Sequence, residues 1–280
     1  MNETANADAL RRVLVPLDGS AAAEGILDAV QRLIGASESA TVYLLRVLET
    51  PQGGAAADTA IEEARAYLEQ VAQRFRCPHC EFEAHVRPGE AASEILSLSE
   101  EVQADLIAMS THGRSGVERW IRGSVAERVL RNSRVPLLIV NPFDATRWET
   151  GFQRVLVPLD GSERALAALP LAESVARRFE SNLVLLHAID PDGRPGDMNA
   201  LQAQVARLEE RGFQARLDLP QGSAEERILD AVEQDGAQLL VMTSHGMTGL
   251  ARWAYGSVAE KVLRHCRCPL LLVPQRSMSQ

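Results

Sequence analysis

Two glycine-containing loops hold the residues of this chain best suited to chemistry. In M-S-T-H-G-R-S-G-V-E-R-W-I-R-G-S-V-A-E-R-V-L, Gly113 and Gly123 are separated by nine residues. In M-T-S-H-G-M-T-G-L-A-R-W-A-Y-G-S-V-A-E-K-V-L, Gly246 and Gly256 have the same spacing. Each pair runs directly into a serine, Ser124 or Ser257, followed by V-A-E; the pattern predicts an N-cap serine with its capping-box glutamate at Glu127 or Glu260. A helix entered through glycine presents unpaired N–H groups and the positive end of the helix dipole, so it can hold a phosphate without a lysine. Lys261 is the only lysine among 280 residues, and no G-K-[ST] Walker loop occurs. The glycines also lack the G-x-G-x-x-G spacing of a dinucleotide fingerprint.

Asp18 and Asp160 each stand in L-D-G-S, at the end of the apolar run V-L-V-P. Two readings stay open there: a group facing a ligand, or an aspartate that stabilises a turn and caps the next helix. His112 and His245 have no nucleophile beside them. Neither G-x-S-x-G nor H-E-x-x-H appears, and D-G-S follows the first strand where a phosphatase would need D-x-D. A receiver-type phospho-switch would need a lysine after the fifth strand, and none is there. No general base or metal carboxylate pair accompanies the loops, which leaves at most a very slow ATPase.

The elements that position these residues come from a repeat. RRVLVPLDGS at 11–20 returns as QRVLVPLDGS at 153–162, with nine of ten positions identical. TVYLLRV pairs with NLVLLHA, RPGEAASEIL with PQGSAEERIL, and RGSVAERVLRNSRVPLLIV with YGSVAEKVLRHCRCPLLLV. The chain is two copies of one unit, predicted as domains over 1–145 and 151–280 around the joint at 141–151. Asp18 and Asp160 lie 142 residues apart but Gly113 and Gly246 only 133, so the second copy is nine residues shorter, mostly in the connection and helix after its second strand. Within a copy, apolar runs at 13–15, 42–47, 106–109 and 137–140 alternate with helical patterns at 61–75 and 125–131, which reads as a parallel α/β sheet buried on both faces. A more polar run at 82–86 predicts an edge strand.

Net charge is −9 with a pI near 5.3, and no block of basic residues is present, so nucleic acid is disfavoured as a partner. The apolar runs are strand-sized, and the first residues carry acids with no apolar stretch, which predicts a cytoplasmic protein without a membrane span. Four cysteines, Cys77, Cys80, Cys266 and Cys268, are too few for a disulfide scaffold in a chain this long, and their tight spacings suit reduced thiols or, less simply, a metal. C-P-H-C at 77–80 stands after a helix rather than at a helix N-terminus, which argues against an oxidoreductase.

The V-P-L-D strand end, the exit of the fourth strand, and a glycine followed after nine residues by G-S-V together resemble the universal stress protein family, whose nucleotide-binding members carry G-x2-G-x9-G-[S/T]. The match spans nearly the whole chain twice. The resemblance implies two flavodoxin-like domains of the adenine nucleotide alpha hydrolase type, each a five-stranded parallel sheet of order 3-2-1-4-5 with helices on both faces. The ends of strands 1 and 4 then adjoin at the switch point where ligands settle. It further implies adenine and ribose contacts at Asp18, Val47 and Met109 and phosphate contacts at Gly113, Gly123, Ser124 and Val125. In the second copy the positions are Asp160, Ala188, Met242, Gly246, Gly256, Ser257 and Val258. The ligand would be ATP, or AMP or ADP, with Mg accompanying the nucleotide.

One position departs from the motif: its first glycine is Ser110 in one copy and Thr243 in the other. Either the side chain obstructs close approach or its hydroxyl replaces a lost contact. The alternative function is a nucleotide-free scaffold or partner-binding protein. Arg114 and Arg122 stand where the second loop has Met247 and Tyr255, which predicts tighter triphosphate binding by the first copy. The resemblance also implies that the apolar fifth strands pair, joining the two domains within a chain and allowing a homodimer.

Overall fold

The computed structural model describes residues 10–35, 39–49, 55–75, 77, 79–110, 125–142, 151–189, 198–244 and 256–274. The chain divides into two compact units, with residues 10–142 in one and 151–274 in the other.

The first unit contains β1 (Arg12–Pro16), α1 (Ala21–Glu24), α2 (Ile26–Gly35), β2 (Ala40–Leu48), α3 (Ala55–Arg74), β3 (Cys80–Pro88), α4 (Ala91–Glu101), β4 (Leu106–Ser110), α5 (Val125–Asn132) and β5 (Leu137–Val140). Val13, Leu14 and Val15 of β1 and Leu106, Ile107 and Ala108 of β4 are wholly buried, as continuous apolar runs are when helices cover both faces of a parallel sheet. The strand order is β3-β2-β1-β4-β5, all parallel. Helices α2 and α3 lie on one face and α4 and α5 on the other, because the right-handed crossovers β1→β2→β3 run one way along the sheet and β3→β4→β5 run the other. Helix α2 presents an amphipathic stripe, burying Ile26, Ala29, Val30, Leu33 and Ile34 at helical spacing.

The second unit repeats the pattern with β6 (Arg154–Pro158), α6 (Glu163–Leu166), α7 (Leu169–Phe179), β7 (Asn182–Leu186), α8 (Met198–Glu210), β8 (Ala215–Asp218), α9 (Ala224–Glu233), β9 (Leu239–Thr243), α10 (Ser257–His265) and β10 (Leu270–Val273). Its order is β10-β9-β6-β7-β8, the same arrangement by equivalent strands. The missing length lies where the sequence puts it: α3 has 20 residues and α8 has 13. The neighbouring strands shorten as well, since β2 and β3 have 9 residues each while β7 has 5 and β8 has 4.

The polar third strand is at the sheet edge, as expected, but extends from Cys80 to Pro88 rather than over 82–86 alone; backbone pairing with all nine residues of β2 outweighs its polar side chains. The reduced-thiol expectation fails at Cys77 and Cys80, which form a disulfide. Their Cα atoms are 5.3 Å apart in the corner between α3 and β3, within bridging distance. Cys266 and Cys268 are buried free thiols with their sulfurs 3.6 Å apart. The hydrogen bond from Cys266, and burial after it, push the Cys268 thiol above its ordinary range, so it packs as a protonated core residue.

Each unit also ties its last two helices together by one cation. Arg128 of α5 bonds Glu90, the residue that caps α4, while Lys261 of α10, at the equivalent position, bonds Glu225 of α9.

Candidate functional site

In the first unit β1 and β4 are parallel neighbours, so their C-terminal ends lie together on one edge of the sheet, at the switch point of the strand order. Leu17 continues β1 by donating its amide to Leu45 O at 2.8 Å, which sets Asp18 at this edge of the sheet. Asp18 Oδ1 then accepts from the Ser20 amide at 2.9 Å and the Ser20 hydroxyl at 2.6 Å, and Ser20 Oγ accepts from the Ala23 amide at 3.1 Å as the N-cap of α1. Gly19 between them has φ +79°, a left-handed conformation that suits glycine. The second unit repeats the turn: Asp160 Oδ1 accepts from Ser162 N at 2.9 Å and Ser162 Oγ at 2.6 Å, with Gly161 at φ +84°. The turn-forming role of both aspartates is thus present in the structure, and it orients each carboxylate at the strand end.

Arg46 and His187 are functional candidates that sequence reasoning missed. They precede Val47 and Ala188 and are equivalent positions in the two copies. Arg46 Nη1 donates to Leu17 O at 3.3 Å, and its guanidinium lies 3.6 Å from where a Gly19 side chain would begin. His187 is buried and holds Leu159 O at 2.8 Å through Nδ1. Each copy therefore anchors the carbonyl just before its turn aspartate with a nitrogen-bearing side chain, from within the second strand at Arg46 and from just past its end at His187. The signal available in the sequence was positional, a polar residue breaking an apolar strand at the same place twice. Arginine and histidine are dissimilar enough to hide it.

Behind Arg46, Tyr67 of α3 donates to Glu24 Oε1 at 3.0 Å and Arg74 Nη2 pairs with Glu24 Oε2 at 2.9 Å. Burial, and after it the hydrogen bond to Glu24, push the Tyr67 phenol well above its ordinary range. Leu166 replaces Glu24 in the second copy, so this cluster is particular to the first.

Val47 and Ala188 are half-buried beside their strand ends, and Met109 and Met242 are buried at the ends of β4 and β9. Ser110 is buried, with its hydroxyl donated to Ala23 O at 3.3 Å. Of the two readings of this departure, the hydroxyl is committed to α1. Thr243 is buried at the matching place. Gly113, Gly123, Ser124 and Gly246 lie outside the described residues, as do Arg114 and Arg122.

Val125 begins α5 and Ser257 begins α10. The expected capping box fails in the second copy. Gly256, not Ser257, is the N-cap; its amide donates to Ser244 O at 2.9 Å, and this bond closes the base of the intervening loop and pushes Ser257 into the first helical position. Glu260 bonds Arg264 one turn onward instead of reaching back. The amides of Ser257, Val258 and Ala259, in the first turn of α10, have no partner within the helix. A ligand's phosphate would find these amides, but not that of Gly256.

A separate cavity of about 380 Å³ lies in the second unit between the ends of β7 and β8 and helix α9. Asp218, Asp230 and Asp235 line it beside Arg227, an acidic surround unsuited to phosphate. Among the described residues no group of three or more metal-type side chains gathers, and no helix is long and apolar enough to cross a membrane.

The family model described as "Universal stress protein family" matches residues 9–141 and again 151–274. A universal stress protein of Methanocaldococcus jannaschii is 28% identical over 142 residues, covering 45% of this chain and 84% of that protein. One from Mycobacterium tuberculosis is 29% identical over 229 residues, covering 76% of this chain and 74% of its own length. The crystal structure of a universal stress protein from Archaeoglobus fulgidus superimposes with TM-score 0.78 at 25% identity, over 95% of this chain and 98% of that one.

Proposed function

This chain belongs to the universal stress protein family, and from that premise we propose that it is a cytoplasmic stress-response protein that binds an adenine nucleotide, ATP foremost, in one or both units. The observation that carries the reading is the entry to α10: the Gly256–Ser244 hydrogen bond sets the helix start beside the end of β9, where three first-turn amides without a partner in the helix and the helix's positive end lie at the switch point. Asp160 in the second unit, and Asp18 in the first, stand at the strand end where a ribose hydroxyl would be received. Any Mg would arrive on the nucleotide's own phosphates. The loop sequences pair no general base or metal carboxylates with the glycines, which favours holding nucleotide, with turnover at most very slow.

Nucleotide analysis of protein purified without added ligand, followed by calorimetric titration with ATP, tests this. Replacing Gly256 by a bulky residue should abolish binding in the second unit only, and equal binding by the wild type and a Gly123/Gly256 double replacement would refute the proposal. The arginines of the first loop favour the first unit as the tighter site, by tenfold or more for one shielded contact of about 1.5–3 kcal/mol.

A second reading has its own observation. The buried side chains of Ser110 and Thr243 occupy the place of the motif's glycine, which favours a nucleotide-free partner-binding protein. The last strands, L-L-I-V and L-L-L-V, are apolar enough to drive pairing of the units and of two chains. Solution scattering would distinguish paired from independent units.

A further inference from the structure

The Cys77–Cys80 disulfide has no counterpart in the second copy. There Glu210 and Phe213 take the two positions, and the corner is closed by Phe213, buried beneath the Arg177 guanidinium at 4.7 Å. The first copy closes the same corner with a covalent bond. Cys77 is buried at 8% exposure, Cys80 is partly exposed and His79 between them is exposed, so solution reaches the bond from the Cys80 side. Around it, Ala40 donates to His79 O at 3.2 Å and Phe75 packs edge-on against Phe82 at 5.2 Å, which makes this corner the dock of α3 on the sheet edge.

The corner is linked by contiguous contacts to the first crevice. Arg74, one turn before Cys77, pairs with Glu24 of α1, and Tyr67 bonds the same carboxylate. Helix α1 is in turn held by Ser20, bonded to Asp18, and by the Ser110 hydroxyl on Ala23 O. The disulfide follows the C-terminus of α3, whose negative end disfavours a thiolate, so the pair exchanges slowly and is not built for turnover.

We infer that Cys77–Cys80 is a reversible thiol–disulfide site that exchanges with a low-molecular-weight thiol couple of the glutathione class, and that its state sets how firmly α3 holds α1. In the reducing direction a small thiolate attacks the sulfur of Cys80. The Cys77 thiolate leaves and takes a proton. A second small thiolate then attacks the mixed disulfide, releasing the small disulfide and the Cys80 thiolate, which is protonated in turn; two small thiols are oxidised and one protein disulfide is reduced. Its effect on the first crevice rests on the nucleotide reading above, whereas its effect on α3 does not.

The full chain is equilibrated in glutathione buffers of graded ratio, and each sample is split for differential alkylation and amide hydrogen exchange. Cys77 and Cys80 should become alkylated together while Cys266 and Cys268 stay protected by burial. Amides in α1 and in the last two turns of α3 should exchange about tenfold or more faster in the dithiol form, with second-unit peptides unchanged. The Cys77→Ser/Cys80→Ser double variant should exchange at the dithiol rate in every buffer. Identical exchange in the two forms, or failure of the pair to oxidise in any buffer, overturns the inference. Titrating ATP into both forms separates the claims, since binding to neither defeats the nucleotide reading and leaves the exchange result standing.

Discussion

Ser110 donates its hydroxyl to the carbonyl of Ala23 at 3.3 Å, joining the end of β4 to the helix that opens the first crevice. The bond is buried and spans 87 residues of sequence. The side chain that makes this bond is the one that replaces the motif's first glycine.

Replacing Ser110 by glycine should therefore move stability and affinity in opposite directions. Loss of the hydrogen bond should cost about 1 kcal/mol in urea denaturation, while ATP binding, read by calorimetry, should tighten as the backbone becomes approachable. Unchanged affinity would show that Ser110 does not gate the site.

The two roles open to Asp18 separate on substitution. Asp18→Asn keeps an oxygen for the Ser20 amide and should leave stability within about 0.5 kcal/mol, whereas Asp18→Ala, which loses the turn and loosens the Ser20 cap, should cost about 1–2 kcal/mol. If the carboxylate also receives the ribose, both variants should weaken ATP binding. Wild-type affinity in Asp18→Asn would confine the residue to the turn.

Tyr67 gives the first unit an alkaline limit. Its folded pKa is raised, by burial first and by Glu24 second, so its contribution is whole below the unfolded phenol value of about 10 and is lost as pH rises beyond it. Denaturation between pH 9 and 11 (about one unit below to one above that value) should show falling stability. Tyr67→Phe should be weaker by about 1 kcal/mol at neutral pH and show a shallower alkaline decline, with Tyr43, also raised by burial, accounting for part of what remains.

Glu90 works at the acid end. Burial raises its pKa, but hydrogen bonds from the Ser93 hydroxyl and the Ala92 and Ser93 amides, with Arg128 nearby, bring the net value below the ordinary one. Its contribution is present above the unfolded value of about 4.3 and is lost as pH falls through the depressed one. Glu90→Gln should lower stability by a few tenths to about 1 kcal/mol at pH 7 and flatten the acid transition. An acid transition as steep as the wild type's would remove Glu90 from its causes.

The architecture was legible because a repeat writes it twice: V-L-V-P-L-D-G-S, the buried β4 run and the glycine spacings recur in register. Ser257 was misplaced because serine and glycine both serve as N-caps, and the choice was made by a hydrogen bond from Gly256 to Ser244, twelve residues back. Arg46 and His187 share a task without sharing a chemistry, so no residue pattern announced them. The Cys77–Cys80 spacing fits thiols, metal or disulfide alike; the geometry of the α3–β3 corner decides among them.

The tie between Lys261 and Glu225 makes the molecule unusually easy to interrogate. Apart from the α-amine, an acylating dye finds one amine in the whole chain, Lys261 on α10, and by neutralising that ammonium it cuts the tie in the same event. Reporter and perturbation arrive together. The matching tie in the first unit, Arg128 to Glu90, is a guanidinium that such reagents pass over, so every labelled molecule includes its own untreated twin.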